Sequence, residues 1–164
     1  MITVRMKIIY IKETYIDYLR EYDLKVPHNK NEKRPYIGVL FEINSYLYFA
    51  PLTSPKPKHK TMSEKIDFIK LRDGELGAIN LNNMLPVLES EIIQFDIDSL
   101  KKTNPKEYNK FIDQVRELNS KKSKIIKNAN KLYLKVTVDE IKGYKVKCCD
   151  FKLLERMAEI FSQK

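Results

Sequence analysis

The sequence predicts an α+β fold in which an antiparallel sheet precedes a long helical region in the C-terminal half. Three observations predict it. Between residues 7 and 98 the apolar residues come in short runs rich in β-branched and aromatic side chains, set apart by turn-forming residues. Two of these runs, "YIGVLFEI" (36–43) and "YLYFAPL" (46–52), flank a two-residue polar turn, Asn44-Ser45, as in a β-hairpin. After "LKKTNP" (100–105) the apolar spacing changes to threes and fours, the period of a helix packed along one face.

Each element follows in order. "KIIYIK" (7–12) alternates as a strand, and "ETYIDYLREYD" (13–23) is helical, with Tyr15, Ile16, Leu19 and Tyr22 on one side. "LKVPHNKNEKRP" (24–35) holds two prolines, two asparagines and several charges, so it is a loop. The hairpin runs into a second loop, "PKPKHK" (55–60). "KIDFIKLR" (65–72) is a third strand candidate, with Ile66, Phe68 and either Ile69 or Leu71 inward. "DGELG" (73–77) is a turn, "AINLNNMLPV" (78–87) starts as a strand and breaks at Pro86, and "SEIIQFDID" (90–98) is the last strand. Asn104 caps a helix that Pro105 begins. Phe111, Val115, Leu118, Ile125, Ala129 and Leu132 continue its apolar face, with a break near Asn119-Ser120. "CDFKLLERMAEIF" (149–161) is an amphipathic helix capped by Asp150, with Phe151, Leu154, Ala158 and Phe161 along one side. No repeat and no linker divides the 164 residues, which are expected to form a single domain.

Charge narrows the function. An apolar share of 43% is that of a globular chain, while a net charge of +9 is a surplus that serves a polyanion. No apolar run approaches the roughly 20 residues of a membrane span, and "MITVRMKIIYI" is too short and too basic for a signal peptide, so a cytoplasmic location is expected. Cys148 and Cys149 are adjacent, which suits neither a disulfide framework nor a metal site. Between Asn119 and Val138 stand Lys121, Lys122, Lys124, Lys127, Lys131 and Lys135, without one acid. That stretch is either a solvated face or a stripe that contacts phosphates.

The chemistry candidates are few. Asp96 and Asp98 share a strand face but read as a solvated strand end, there is no glycine-rich phosphate loop, and no G-x-S-x-G elbow occurs. The option that needs least is RNA cleavage without a metal or other cofactor, in which the ribose 2′-hydroxyl attacks the adjacent phosphorus. The protein must then hold the phosphate, stabilise charge on its oxygens and help move protons. "APLTSPKPKHK" (50–60) offers suitable groups: Thr53 and Ser54 to bond phosphate oxygens, Lys56 to neutralise growing charge, and Lys58, His59 and Lys60 to bind RNA. From the residues alone, this corner is either such a site or an ordinary exit from a strand. The alternatives in function are a basic RNA-binding module without catalysis and, more distantly, a DNA-binding regulator, for which no helix-turn-helix spacing is apparent.

"YIDYLREYDLKVP" (15–27), "YIGVLFEINSYLYFAPLTSPK" (36–56), "LGAINLNNMLPV" (76–87) and "CDFKLLE" (149–155) resemble, in order, the ToxN/AbiQ family of endoribonuclease toxins. The resemblance implies a Kid/MazF-like partial barrel, a strongly bent antiparallel sheet decorated with helices. It also implies metal-free cleavage leaving a 2′,3′-cyclic phosphate and a 5′-hydroxyl. The partner it implies is a small repeated antitoxin RNA, folded as a pseudoknot, that the toxin processes and that inhibits it within a closed protein–RNA assembly, often in phage defence. Carried across by residue, the family's central serine and its preceding threonine fall on Ser54 and Thr53, and its loop lysine on Lys56. Its tyrosine at the start of the first helix falls on Tyr15 rather than Tyr10, and the further lysine expected just before the second strand falls on Arg34, with Lys33 beside it. Met6 matches the usual start, which makes "MITVR" an extension.

Overall fold

A computed structural model describes residues 6–43 and 45–164. The stretch "MITVR", expected to be an extension, and Asn44, expected in the hairpin turn, lie outside the described residues. Strand β1 (Lys7–Ile11) leads into helix α1 (Glu13–Arg20), and the hairpin is β2 (Tyr36–Ile43) with β3 (Tyr46–Thr53). Short elements follow: helix α2 (Pro57–Thr61) and strands β4 (Phe68–Lys70), β5 (Ala78–Asn80), β6 (Leu85–Pro86) and β7 (Ile92–Gln94). The C-terminal half is helical: α3 (Leu100–Thr103), α4 (Pro105–Ser120), α5 (Lys122–Thr137), α6 (Lys142–Lys147) and α7 (Phe151–Ser162).

The strands form one antiparallel sheet in the order β4-β5-β3-β2-β1-β7, with β6 also against β3. β3 is its hub, paired with β2 on one edge and with β6 and then β5 on the other. The strongly bent partial barrel implied by the resemblance is not what this sheet adopts: it is neither closed nor strongly curled, with β4 and β7 as its terminal strands among the described residues. Strand length gives the reason. Only β2 and β3 reach eight residues, and β4 to β7 have three or fewer, which is too little pairing to carry curvature round to closure. Short edges of this kind also protect against edge-to-edge pairing.

Helix ends follow local chemistry. Asn104 accepts the Glu107 N–H and Asp150 accepts the Leu153 N–H, so both expected caps form. The expected break falls at Lys121, between α4 and α5. Elsewhere tertiary packing overrides the pattern. Tyr22 is 45% exposed while Tyr18 is buried in its place, because α1 stops at Arg20. Ile69 and Leu71 face inward, whereas Ile66 and Phe68 are half-buried. The last strand is only β7, and Asp96 caps a 3-10 turn by accepting the Ser99 N–H.

The core lies between the sheet and α1, α4, α5 and α7. One polar knot sits inside it. The carboxylate of Glu155, 5% exposed, accepts the hydroxyls of Tyr48 on β3 (2.5 Å) and Tyr133 on α5 (2.7 Å). Tyr133 stacks on Phe151, and Tyr48 meets both rings edge-on. A buried carboxylate is tolerated only when bonded this fully, and the knot ties β3, α5 and α7 into one body.

Candidate active site

β3 delivers Thr53 and Ser54 to the surface where the sheet stops. Thr53 pairs with Ala78 of β5, and its Oγ1 donates to the Ala78 carbonyl at 3.1 Å. Ser54 is exposed, and its hydroxyl has no partner among the described residues. The turn before β5 backs this corner closely. A Cβ at Gly77, whose φ is +96°, would lie 2.1 Å from the Thr53 carbonyl oxygen, so only glycine fits.

Lys56 caps α2, and His59 fixes it there. The Lys56 N–H donates to His59 Nδ1 at 3.3 Å, and the His59 N–H donates to the Lys56 carbonyl at 2.9 Å. The His59 ring is 2% exposed, rests on Phe68 with centroids 5.6 Å apart, and lies beneath Gly74. Burial, then the charges of Lys56, Lys58 and Lys70, push its pKa below the ordinary histidine value. The expectation that His59 binds RNA is therefore corrected: it is a neutral, buried acceptor that positions Lys56. Lys58 and Lys60 are exposed.

The loop before β2 supplies the other cations. Lys30, Asn31 and Glu32 all have positive φ, which curls the chain so that both Lys33 and Arg34 donate their N–H groups to the Asn29 carbonyl. Asn29 is 2% exposed and donates to the Ile11 carbonyl at 2.7 Å, and Glu32 and Glu13 exchange bonds with each other's backbone, so the curl is fastened to β1 and α1. The Leu52 N–H then donates to the Pro35 carbonyl, which lays the loop beside the corner.

Two adjoining cavities result, and Lys33, Pro35, Leu52, Thr53 and Ser54 line both. One, of about 150 Å³, adds Lys30, Arg34 and Lys56. The other, of about 160 Å³, adds Tyr10, Glu107, Lys110, Phe111 and Gln114. Lys33 and Arg34 thus both reach the site. Lys33 faces both cavities, while Arg34 is steered by a 2.6 Å bond from its Nε to the His28 carbonyl. None of Lys30, Lys33, Arg34 and Lys56 forms an ion pair among the described residues.

Tyr15 does not join them. Its side chain is fully buried on the core face of α1, its hydroxyl donates to the Pro86 carbonyl at 2.7 Å, and burial drives its pKa far above the phenol range. Placing Tyr15 at the site is corrected on that ground: its helix turns it inward against β6 and α7. Tyr10 is the tyrosine at the cavity wall, half-buried because strand alternation on β1 turns it to the opposite side from Ile9 and Ile11. Burial, then Glu107, raises its pKa. Tyr10, Glu107, Lys110 and Gln114 escape a reading of the sequence because they meet the corner only in three dimensions.

The lysine stripe divides. Lys121 donates to the Lys70 carbonyl at 2.6 Å and pairs with Glu117 and Glu64, and Lys124 also pairs with Glu64. Lys121 and Lys124, both expected to bind RNA, also latch the segment after α2 onto α5 through these bonds. Burial pushes the Glu64 carboxyl up, but bonds from Lys124 and the Lys70 N–H bring it below its ordinary value. Lys135 lies over the Tyr144 ring at 5.8 Å. Lys127 and Lys131 are exposed and form no ion pair among the described residues.

Residues 7–159 match the family model described as toxin ToxN of type III toxin–antitoxin systems. The chain belongs to the ToxN/AbiQ family. The toxin is 35% identical over 161 residues to the endoribonuclease ToxN of Bacillus thuringiensis subsp. kurstaki, covering 94% of this chain and 83% of that one. Its fold matches a solved toxin chain, from work on selective toxin inhibition by a non-coding RNA pseudoknot, with a TM-score of 0.85, 34% identity and coverage of 98% and 100%. It also matches the lactococcal anti-phage endoribonuclease AbiQ with a TM-score of 0.84, 29% identity and coverage of 98% and 100%. Among the described residues no helix is long and apolar enough to cross a membrane, and no three acidic, histidine or cysteine side chains gather as a metal site.

Proposed function

We propose that this type III endoribonuclease toxin cuts RNA at the Thr53–Ser54 corner without a metal. One observation carries the reading: an exposed, unpartnered Ser54 hydroxyl stands among Lys33, Arg34 and Lys56, cations that lack counter-ions among the described residues. A phosphodiester completes that arrangement. Its non-bridging oxygens accept from Ser54 and, once Thr53 releases the Ala78 carbonyl, from Thr53, while the lysines and the Arg34 fork offset the charge that builds on phosphorus. The ribose 2′-oxygen attacks the adjacent phosphorus and the 5′-oxygen leaves, giving a 2′,3′-cyclic phosphate and a 5′-hydroxyl. The partner is a small repeated RNA folded as a pseudoknot, which the toxin trims and which inhibits it in a closed assembly that serves phage defence. Lys58, Lys60, Lys127 and Lys131 are the cations offered to that RNA.

Cleavage in excess chelator, followed by analysis of the RNA ends, tests the chemistry. The expected products carry a 5′-hydroxyl, and a 2′-deoxy substitution at the cut position blocks cleavage. Efficient cutting of the deoxy substrate would sink the internal nucleophile. Binding without cutting would leave only a basic RNA-binding module.

A further inference from the structure

Another cavity, formed by the start of β4, the end of β5 with the turn after it, and α6, shares no lining residue with the two at the corner. Its volume of about 500 Å³ is that of an ordinary small-molecule site. One wall holds a carboxylate that the fold leaves poorly matched. Asp67 is 5% exposed, yet its side chain accepts no hydrogen bond among the described residues, and its one ion pair, with Lys147, spans 4.0 Å. A buried carboxylate is ordinarily bonded more fully, as that of Glu155 is. Asn82 adds to the same lining an Oδ1 that is buried without a partner. Asn80 is turned by its Nδ2, which donates to Asn83 Oδ1 at 2.8 Å and leaves its own Oδ1 as a further acceptor. The half-buried ring of Phe68 and the exposed ammonium groups of Lys65 and Lys147 complete the arrangement.

Acceptors inside, a ring at the wall and cations at the rim suit a flat donor with an anionic tail. Among the RNA bases, guanine alone presents two adjacent donors on its Watson–Crick edge, N1–H and the 2-amino group. These match the two oxygens of a single carboxylate. Adenine and cytosine set an amino donor beside a ring-nitrogen acceptor, which a carboxylate repels, and uracil flanks one N–H with two carbonyl oxygens. Phe68 gives a base a surface to lie against. We propose that this cavity binds a guanosine phosphate, with Asp67 reading the base. Asn82 Oδ1 is an acceptor for the second amino hydrogen, and Lys65 and Lys147 are the cations for the phosphate. Guanine then takes the place of Lys147 as the partner of Asp67. The proposal goes beyond the ribonuclease reading and does not depend on it.

Calorimetric titration of the wild-type protein with GMP, AMP, CMP and UMP tests it. GMP is expected to bind about tenfold or more tightly than each of the others, the discrimination of one bidentate pair, and more tightly than guanosine. Asp67→Asn, which keeps the shape of the side chain and gives up no hydrogen bond among the described residues, should bring the ratio of GMP to AMP to within about threefold. Lys65→Gln, at the exposed rim, should narrow the advantage of GMP over guanosine and leave the base preference intact. Equal binding of the nucleotides, or a guanine preference that persists in Asp67→Asn, overturns the proposal. The source of the guanosine is read in Ser54→Ala protein with labelled decauridylate holding one guanosine. A loss of affinity for that decamer of about tenfold on adding Asp67→Asn assigns the site to RNA. An unchanged decamer affinity, beside GMP binding that Asp67→Asn abolishes, assigns it to the free nucleotide.

Discussion

Tyr48 and Ser54 are six residues apart along β3 and its exit, and their polar groups are treated in opposite ways. Around Tyr48 the hydroxyls and the Glu155 carboxylate satisfy one another inside the core. At the corner, the Ser54 hydroxyl has no partner, and Lys30, Lys33, Arg34 and Lys56 form no ion pair, among the described residues. Pairing stabilises the first group as structure. The absence of pairing at the second leaves its interactions free for a ligand, and the cost of holding like charges together is offset only when a polyanion arrives.

The contrast between the two groups is most exposed to test at Ser54. Ser54→Ala should lower RNA cleavage by about 10²–10³-fold, the usual cost of losing one donor to developing charge, with an unchanged melting temperature. Cleavage within threefold of wild type would move the site elsewhere. Glu155→Ala should do the reverse. Two buried hydroxyls lose their acceptor, costing about 3 kcal/mol and lowering the melting temperature by about 6–12 °C, while cleavage per folded molecule is maintained.

His59 sits between the two regimes, being buried yet beside the site. Its folded pKa lies below its unfolded value of about 6.5, so the unfolded chain takes up the proton first. Its contribution to stability is present above that pH and is lost as pH falls through the folded value. The melting temperature should hold from pH 8 to 7 and decline below about 6.5, and His59→Asn, which retains an acceptor for Lys56, should flatten that decline. An identical profile in the variant would remove His59 as the cause.

The smallest effects are expected on α5, where paired and unpaired lysines share one helix. Replacing Lys127 and Lys131 by glutamine should reduce the salt slope of antitoxin RNA binding by about 0.7–0.9 for each phosphate that is no longer neutralised. Replacing Lys124 should leave the slope alone and lower stability by under about 1 kcal/mol, since its bond to Glu64 is largely exposed. Equal slopes for both variants would erase the division between latched and free lysines.

By itself the sequence determined the elements whose signals are local. The hairpin, the caps at Asn104 and Asp150, the break beside Ser120 and the placement of Thr53 and Ser54 at a strand end all follow from period, turn chemistry and nearest neighbours. Tertiary structure decided whatever depends on residues distant along the chain. Lys124 looks unpartnered until Glu64, about sixty residues earlier, packs against it, whereas Lys121 also pairs locally with Glu117. Tyr15 heads a helix at the right place in the family pattern, yet the face of α1 that meets α7 turns it inward and leaves the cavity wall to Tyr10. His59 reads as one more surface charge until Gly74 and Phe68 close over it. In each case the side chain's chemistry was evident from its letter, but its exposure and partner were set by which surfaces the sheet and helices bury together.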